Sequence, residues 1–172
     1  MTLTVETGSA SSTADAYISR ADATTYHANR GNSAWTDLGT DDQDAAIRRA
    51  TDYLGQTYRM RWAGYRVTST QALDWPRTGV PMVDVSGGYR MMPYHPVDSV
   101  PTEVVNACAE LALRAASGPL APDQGQAIAS VKAGSVEVSY ADYSTASKTY
   151  PAIDRLLAPL LTGGGSTRLM RS

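Results

Sequence analysis

The chain has 172 residues, of which 42% are hydrophobic, and this length and composition are typical of one folded domain and exclude a chain that is disordered throughout. Its 15 basic and 17 acidic residues give a formal net charge of −2, which argues against a dedicated nucleic-acid-binding domain because such domains are usually strongly basic. No apolar run reaches the roughly 18–20 residues that cross a bilayer, and the N-terminus lacks the basic and apolar regions of a signal peptide, so neither membrane insertion nor export is expected.

The N-terminal segment, residues 1–15, is rich in Thr, Ser and Ala and has no periodicity. It predicts a flexible or docking arm, with a short strand near Leu3–Val5. The main domain is expected to span residues 16–161. Its first helix is predicted to follow Ser19, a favourable N-cap, and to run to about Arg30 with Asp22 in the first turn.

The second helix is predicted from residue 40, where Thr40 and Gln43 have the spacing of a capping box. Asp44, Arg48 and Asp52 are spaced for i,i+4 ion pairs on its exposed face. The neighbouring acidic residues Asp41 and Asp42 are explained by the same helix start. Apolar residues recur at helical spacing on the opposite face: Ile47, Ala50, Leu54 and Tyr58.

Residues 62–101 contain several Pro and Gly residues, and the pattern indicates short extended pieces such as Tyr65–Val67, with a hairpin across residues 86–88. A third helix is predicted from about Pro101 with Ser99 as its cap, and Glu110 and Arg114 form an i,i+4 pair on its exposed face. Its buried stripe is Val104, Cys108, Leu111 and Ala115.

The C-terminal part predicts a β-hairpin near residues 128–140, built from Ile128–Val131 and Val136–Tyr140. A last helix over about Ala152–Leu161 contains Pro159, which is expected to kink or end it. Residues 162–172 form a predicted docking tail after a glycine-rich hinge. We therefore expect a mainly α fold, a small bundle of about four helices with a short β-hairpin and flexible N- and C-terminal arms.

Residues that could hold a metal or act as a nucleophile are few. Cys108, His27 and His95 are far apart in sequence with no paired spacing, so no metal site is predicted. We expect His27 on the polar face of the first helix, His95 in a loop and Cys108 as inert packing. The single cysteine fits assembly in a reducing cytoplasm. No nucleophile, base and orienting group can be named together, so we expect neither an enzyme nor a cofactor.

The segment from residue 58 to residue 80 interleaves arginine with aromatic residues, and it allows two interpretations. Single-stranded nucleic-acid grooves combine phosphate-binding arginines with aromatic rings that stack on bases. The alternative, which we favour, is that Trp62 and Trp75 are core anchors. The arginines then pair with Asp74 or with a neighbouring subunit, since Arg, Tyr and Trp are enriched at interfaces. The predicted structural anchors are Trp35, Trp62, Trp75 and Pro76. The predicted interface residues are Arg59, Arg61, Arg66 and Arg77 and, in the tail, Arg168, Leu169, Met170 and Arg171.

Several short blocks of the chain occur in the order found in a known family, and they span about residues 4–171. They are Ala16-Tyr17-Ile18-Ser19; Tyr26, Arg30-Gly31-Asn32 and Trp35; Ala50-Thr51-Asp52-Tyr53-Leu54; Gln71-Ala72-Leu73-Asp74-Trp75-Pro76-Arg77; and Val100-Pro101, Ala107 and Ala109-Glu110-Leu111-Ala112. In these blocks, of which Gln71–Arg77 is the most specific, the chain resembles a tailed-phage family often labelled DnaT-like single-stranded DNA-binding protein.

The resemblance implies a function, because members of that family are similar to the head–tail adaptor, or head-completion, proteins beneath the portal of a bacteriophage. It implies a structural protein of the virion neck that forms a ring, twelvefold in the related adaptors, on the portal protein. Such a ring would extend the DNA channel, let DNA pass without sequence-specific binding, and receive the next tail component. The alternative is a single-stranded DNA-binding replication accessory protein, as the family label suggests.

Overall fold

The computed structural model describes residues 2–87, 93–121, 130–133, 136–139 and 149–163. Over these residues the fold is mainly α with short antiparallel strand pairs, as the sequence predicts. In chain order the elements are α1 (Arg20–Ala28), α2 (Ser33–Thr36), α3 (Thr40–Tyr58), β1 (Tyr65–Arg66), β2 (Arg77–Thr78), α4 (Thr102–Ala116), β3 (Ser130–Ala133), β4 (Val136–Ser139), α5 (Pro151–Leu157) and a 3₁₀ turn (Ala158–Leu160).

Helix α1 begins as predicted. The Ser19 hydroxyl accepts a hydrogen bond from the Asp22 backbone N–H at 3.1 Å and donates to the Asp22 carboxylate at 2.6 Å. The helix ends at Ala28, two residues before the predicted end.

Helix α3 starts at the predicted residue for a different reason. The capping box was wrong: the N-cap is Gly39, whose carbonyl accepts from the Gln43 N–H at 3.0 Å. The Gln43 side chain donates instead to the Trp35 carbonyl at 2.8 Å. Helix α2, a single turn that the sequence analysis did not predict, brings this carbonyl to the start of α3. The Gln43 side chain therefore bonds to a carbonyl of another helix instead of capping its own helix.

The predicted ion-pair ladder on α3 is also wrong. Asp44 is buried and pairs with Arg20 of α1 at 3.4 Å, and Arg48 pairs with Asp15 at 2.7 Å. Both partners come from segments that pack across α3, so the nearer charges on the same helix are not the ones used.

The core lies mainly between α3 and α4, with α5 packed on α4. Both predicted apolar stripes are buried, and the Glu110–Arg114 pair forms at 2.7 Å. The cap of α4 differs from the prediction: Pro101 is the N-cap, and the Ser99 hydroxyl donates to the Pro96 carbonyl at 3.2 Å.

The C-terminal elements follow the predicted order. Helix α5 stops at Leu157 and continues as a 3₁₀ turn that contains Pro159. Strands β3 and β4 pair antiparallel with Val131 opposite Val138, and the predicted strand residues 128, 129 and 140 lie outside the described residues. Residues 164–172, which include the tail candidates Arg168-Leu169-Met170-Arg171, lie outside the described residues.

The N-terminal segment is ordered against the domain rather than free. Val5 forms a parallel bridge with Ala16, and the Glu6 N–H donates to the Ala16 carbonyl at 2.9 Å. Glu6 is buried, and its carboxylate accepts from the N–H groups of Gly8 and Ser11, each at 2.7 Å. A polar composition suggested flexibility, but one carboxylate accepts from three backbone N–H groups of this turn, those of Gly8, Ala10 and Ser11, and lets it pack.

Candidate functional site

The arginine- and aromatic-rich segment lies at the C-terminal end of α3. Strand β1 pairs with β2 so that Tyr65 lies opposite Thr78. A glycine at position 64 lets the backbone before β1 come close to β2. Its φ is +64°, and a Cβ there would lie 2.1 Å from the Thr78 carbonyl oxygen. Further along, Pro81 pairs with Tyr94, which joins the two sides of the loop around the predicted 86–88 hairpin. Residues 88–92 lie outside the described part of the chain.

Two of the aromatic residues in this segment are inside the protein. Trp75 is 0% exposed and Trp62 is 4% exposed, and their rings meet edge to face with centroids 5.7 Å apart. Pro76, which follows Trp75 through a cis peptide bond, is buried as well. Neither indole has a face available to stack on a nucleic-acid base.

Trp35, the third predicted anchor, is fully buried at the opposite end of α3. It packs against His27, with ring centroids 4.9 Å apart. The placement of His27 on a polar face was wrong: it is fully buried, with Nε2 3.1 Å from the Ala109 carbonyl and Nδ1 3.2 Å from the Asn32 amide. Burial lowers the pKa of His27, so the neutral ring is favoured.

Arg77 was predicted to lie at an interface, but it is buried and holds the loop together. Its guanidinium donates to the carbonyls of Ala63 at 2.8 Å, Gly64 at 2.7 Å and Asp74 at 3.2 Å. Burial lowers the pKa of Arg77, and the nearby negative charge of Asp74 opposes that change. The residue ties β2 to the backbone just before β1.

Asp74 is the polar centre of this loop, and the contact with Arg59 confirms it as one of the predicted partners of the arginines. Its side chain is 1% exposed, and Arg59 Nε lies 3.0 Å from Oδ1. Within the described chain, neither carboxylate oxygen has a well-directed hydrogen bond. The Tyr17 hydroxyl accepts from the backbone N–H groups of Asp74 and Trp75, at 3.0 and 3.3 Å. Burial, and then the charge of Asp74, raises the pKa of Tyr17.

The exposed side chains of this segment are not its tryptophans but a methionine, a tyrosine and arginines. Met60 is 91% exposed and Tyr65 is 78% exposed. Arg61 lies 3.4 Å from Asp154, and Arg66 donates to the Gln71 carbonyl at 3.2 Å, while both remain exposed. Exposed apolar side chains continue along the paired segments: Val67, Val83, Val85, Tyr94 and Val97. We call residues 59–67 with these side chains the apolar–arginine surface.

A groove of about 680 Å³ opens at the other end of α3, between the N-terminal segment and helices α1 and α3. Leu3 and Val5 supply apolar lining, while Arg20, Asp41 and Asp44 supply charge. The sequence analysis missed this groove because it forms only when residues 2–5 pack beside α1. The composition of the N-terminal segment does not show where that segment packs.

The cysteine and the second histidine, Cys108 and His95, pack against neighbouring side chains. Cys108 is fully buried beside the Thr51 hydroxyl, 3.4 Å away, and burial raises the pKa of its thiol to about 11. His95 is half-buried in its predicted loop, near Trp75. Among the described residues, no three His, Cys, Asp or Glu side chains converge as metal ligands would.

The described helices include none with the length and apolarity that a membrane crossing requires. No curated protein and no solved structure matches the chain. A family model does match it, over residues 1–172, and that family is described as "Putative DnaT-like ssDNA binding protein". Since the match covers the whole chain, including the Gln71–Arg77 block around Asp74, the protein belongs to this DnaT-like family.

Proposed function

We propose that the protein is a structural component of the virion, a head-to-tail adaptor that forms a ring under the portal. In this role it extends the DNA channel, connects the head to the next tail component and catalyses no reaction. The proposal rests on the resemblance in the sequence blocks given above and on the chemistry of the apolar–arginine surface.

The observation that carries the proposal is the division of the motif between core and surface. Trp62, Trp75 and Arg77 are internal, whereas Met60 and Tyr65 are almost fully exposed beside arginines. Large apolar side chains exposed at nearby positions of one segment are a feature of surfaces that another protein covers. Met, Tyr and Arg are the residue types enriched at such interfaces.

The charge of the chain supports the same role. A net charge of −2 gives little general attraction for phosphates, which suits a channel through which DNA slides. Arg59 and Arg61 also have carboxylate partners within the chain, Asp74 and Asp154.

A single-stranded DNA-binding accessory protein is the second candidate. The family description favours it, and so does the exposed pair Tyr65 and Arg66, which offers one stacking ring beside one guanidinium.

Two matched variants separate the candidates. Met60→Ser removes apolar surface without changing charge, and Arg66→Gln removes charge while keeping a polar side chain. Each is tested for retention on portal-bearing heads that lack the adaptor, and for binding to a fluorescent dT30 oligonucleotide at 50 and 200 mM salt.

The adaptor function predicts that Met60→Ser loses head retention and that the wild-type protein binds dT30 weakly. The DNA-binding function predicts steeply salt-dependent dT30 binding, a salt slope that Arg66→Gln lowers by about one, and no retention on heads. The second set of results would overturn the adaptor proposal.

A further inference from the structure

We propose that Met60 is an apolar anchor that inserts into an uncharged, apolar recess on the portal, and that the arginines beside it hold it in position. This inference rests on the proposed adaptor function and deepens it, because it names the chemistry of the partner's site. The contact is expected to withstand salt, although a guanidinium group lies on each side of the anchor.

The turn that carries Met60 is an ordered projection. Tyr58 before it and Trp62 after it are buried, and the Tyr58 carbonyl accepts from the N–H groups of Arg61 at 2.8 Å and Trp62 at 3.1 Å. The Arg61 carbonyl accepts from the N–H and the hydroxyl of Thr162, at 2.7 and 3.0 Å. Met60 is therefore 91% exposed on a backbone that is already fixed, which lowers the entropy cost of binding.

The charge of Arg59 is used within the chain. Its Nε lies 3.0 Å from Oδ1 of the buried Asp74 carboxylate. That carboxylate also lies close to the last turns of α3, since a Cβ at Gly55 would be 3.8 Å from its Oδ2. The negative end of the helix dipole favours a cation at the same place. Transfer of Arg59 to a partner would leave a buried carboxylate without its counter-charge, which is costly.

The charge of Arg61 is also used within the chain. Its guanidinium lies 3.4 Å from Asp154 Oδ1 and 5.1 Å from the centre of the Tyr58 ring. The Tyr58 hydroxyl donates to the same Asp154 oxygen at 3.0 Å. Each arginine beside Met60 thus has its own carboxylate, so the turn presents little net charge. A complementary site on a partner needs no carboxylates.

The group that remains for a partner is the thioether side chain of Met60. Methionine is unbranched and polarizable, so it adapts to an irregular apolar recess. It is also one of the residue types enriched at protein interfaces. Full burial of such a side chain is expected to strengthen binding by roughly 10- to 100-fold.

A second copy of the chain is a poorer partner than the portal. The α1–α3 groove has charged and polar side chains in its lining, among them Arg20, Gln43 and Asp44, and Arg20 already lies 3.4 Å from Asp44. An apolar side chain inserted there would bury polar groups without offering them hydrogen bonds, which is unfavourable. We therefore commit to a recess on the portal.

The test is a set of full-length variants whose affinity for portal-bearing heads without adaptor is measured at about 50 and 500 mM salt, where screening differs strongly. Met60→Leu keeps an apolar side chain of similar volume, whereas Met60→Gln keeps the length and introduces an amide. The matched control is Val83→Gln, because Val83 is 63% exposed on the apolar–arginine surface but lies outside the turn.

Met60→Gln is expected to bind heads at least about tenfold more weakly than the wild type, while Met60→Leu and Val83→Gln stay within about threefold. The wild-type affinity is expected to change less than about threefold between the two salt concentrations. A fall of about tenfold with salt would overturn the proposal in favour of an ionic contact. Equal losses for Met60→Gln and Val83→Gln would overturn it in favour of a contact spread over the surface.

Failure of this inference and failure of the adaptor function give different results. Wild-type retention on heads with an unchanged affinity of Met60→Gln would remove the anchor alone. If Met60→Gln instead weakened self-association of the free protein and left head binding unchanged, the recess would belong to a second copy and the proposal would be wrong. No retention of the wild-type protein on heads would remove the adaptor function and this contact together.

Discussion

Arg59 and Asp74 form an ion pair that joins an exposed arginine to a buried carboxylate. The Asp74 side chain is 1% exposed, the Arg59 side chain is 56% exposed, and Arg59 Nε lies 3.0 Å from Asp74 Oδ1. Asp74 belongs to the Gln71–Arg77 block, and Arg59 begins the turn that carries Met60. The buried centre of the motif and the exposed turn are therefore linked through one contact.

Arg59→Ala is expected to lower the free energy of unfolding by about 1–3 kcal/mol. Removing one partner of a buried pair costs about 3–5 kcal/mol, and the exposure of Arg59 to solvent reduces that value. Urea denaturation measures the change. Asp74→Asn added to Arg59→Ala should restore part of the loss, and strictly additive losses would contradict a charge pair.

Trp75→Ala is expected to destabilise the protein by about 3–5 kcal/mol, because the ring is fully buried and the remaining atoms cannot fill its space. Thermal unfolding gives the measurement, with Tyr65→Ala as an exposed aromatic control that should change little. A Trp75→Ala protein that keeps its melting temperature but loses oligonucleotide binding would instead support a stacking role.

The stability of the protein is expected to fall as the pH drops below about 6.5, the ordinary pKa of histidine. Burial lowers the pKa of His27 in the folded state, so between the two values the unfolded chain binds more protons and gains stability on acidification. Protonation would also place an N–H of Nδ1 against the Asn32 amide. His27→Gln should flatten the change in unfolding free energy between pH 7 and pH 5, while His95→Gln should retain it.

The isolated protein is expected to be a monomer or a weak oligomer at micromolar concentration. The Glu110–Arg114 ion pair keeps the outer side of α4 polar and suited to water, so the ring is expected to form on the portal. Static light scattering gives the mass directly. A stable ring in the absence of portal would contradict this expectation.

Deletion of residues 163–172 is expected to leave the stability of the domain unchanged and to abolish attachment to portal-bearing heads. The last 3₁₀ turn ends at Leu160, before the cut, and the glycine run offers little side-chain area to the core. Thermal unfolding and head retention are measured on the same preparation. Normal attachment of the shortened protein would show that the tail is not the dock and would make the loop over residues 62–81 the leading candidate.

The sequence by itself determined the helices and their buried faces. The stripe through Ile47 and Leu54 and the stripe through Cys108 and Leu111 repeat at helical spacing, and both are buried in the structure. The Ser19 cap and the early end of the last helix at Pro159 are likewise local, since they depend on residues within one turn. Such signals can be read because the partners are neighbours in the chain.

Only the tertiary structure decided where the polar side chains bind. Asp44 has a nearer arginine on its own helix, yet it pairs with Arg20, 24 positions away. The Tyr17 hydroxyl reaches the Asp74 N–H across 57 positions, and Arg77 turns inward to the carbonyls of Ala63 and Gly64. A buried polar group must find a partner that satisfies it, and that partner is set by which segments pack together. Neither the identity of the residue nor its spacing along the chain specifies that partner.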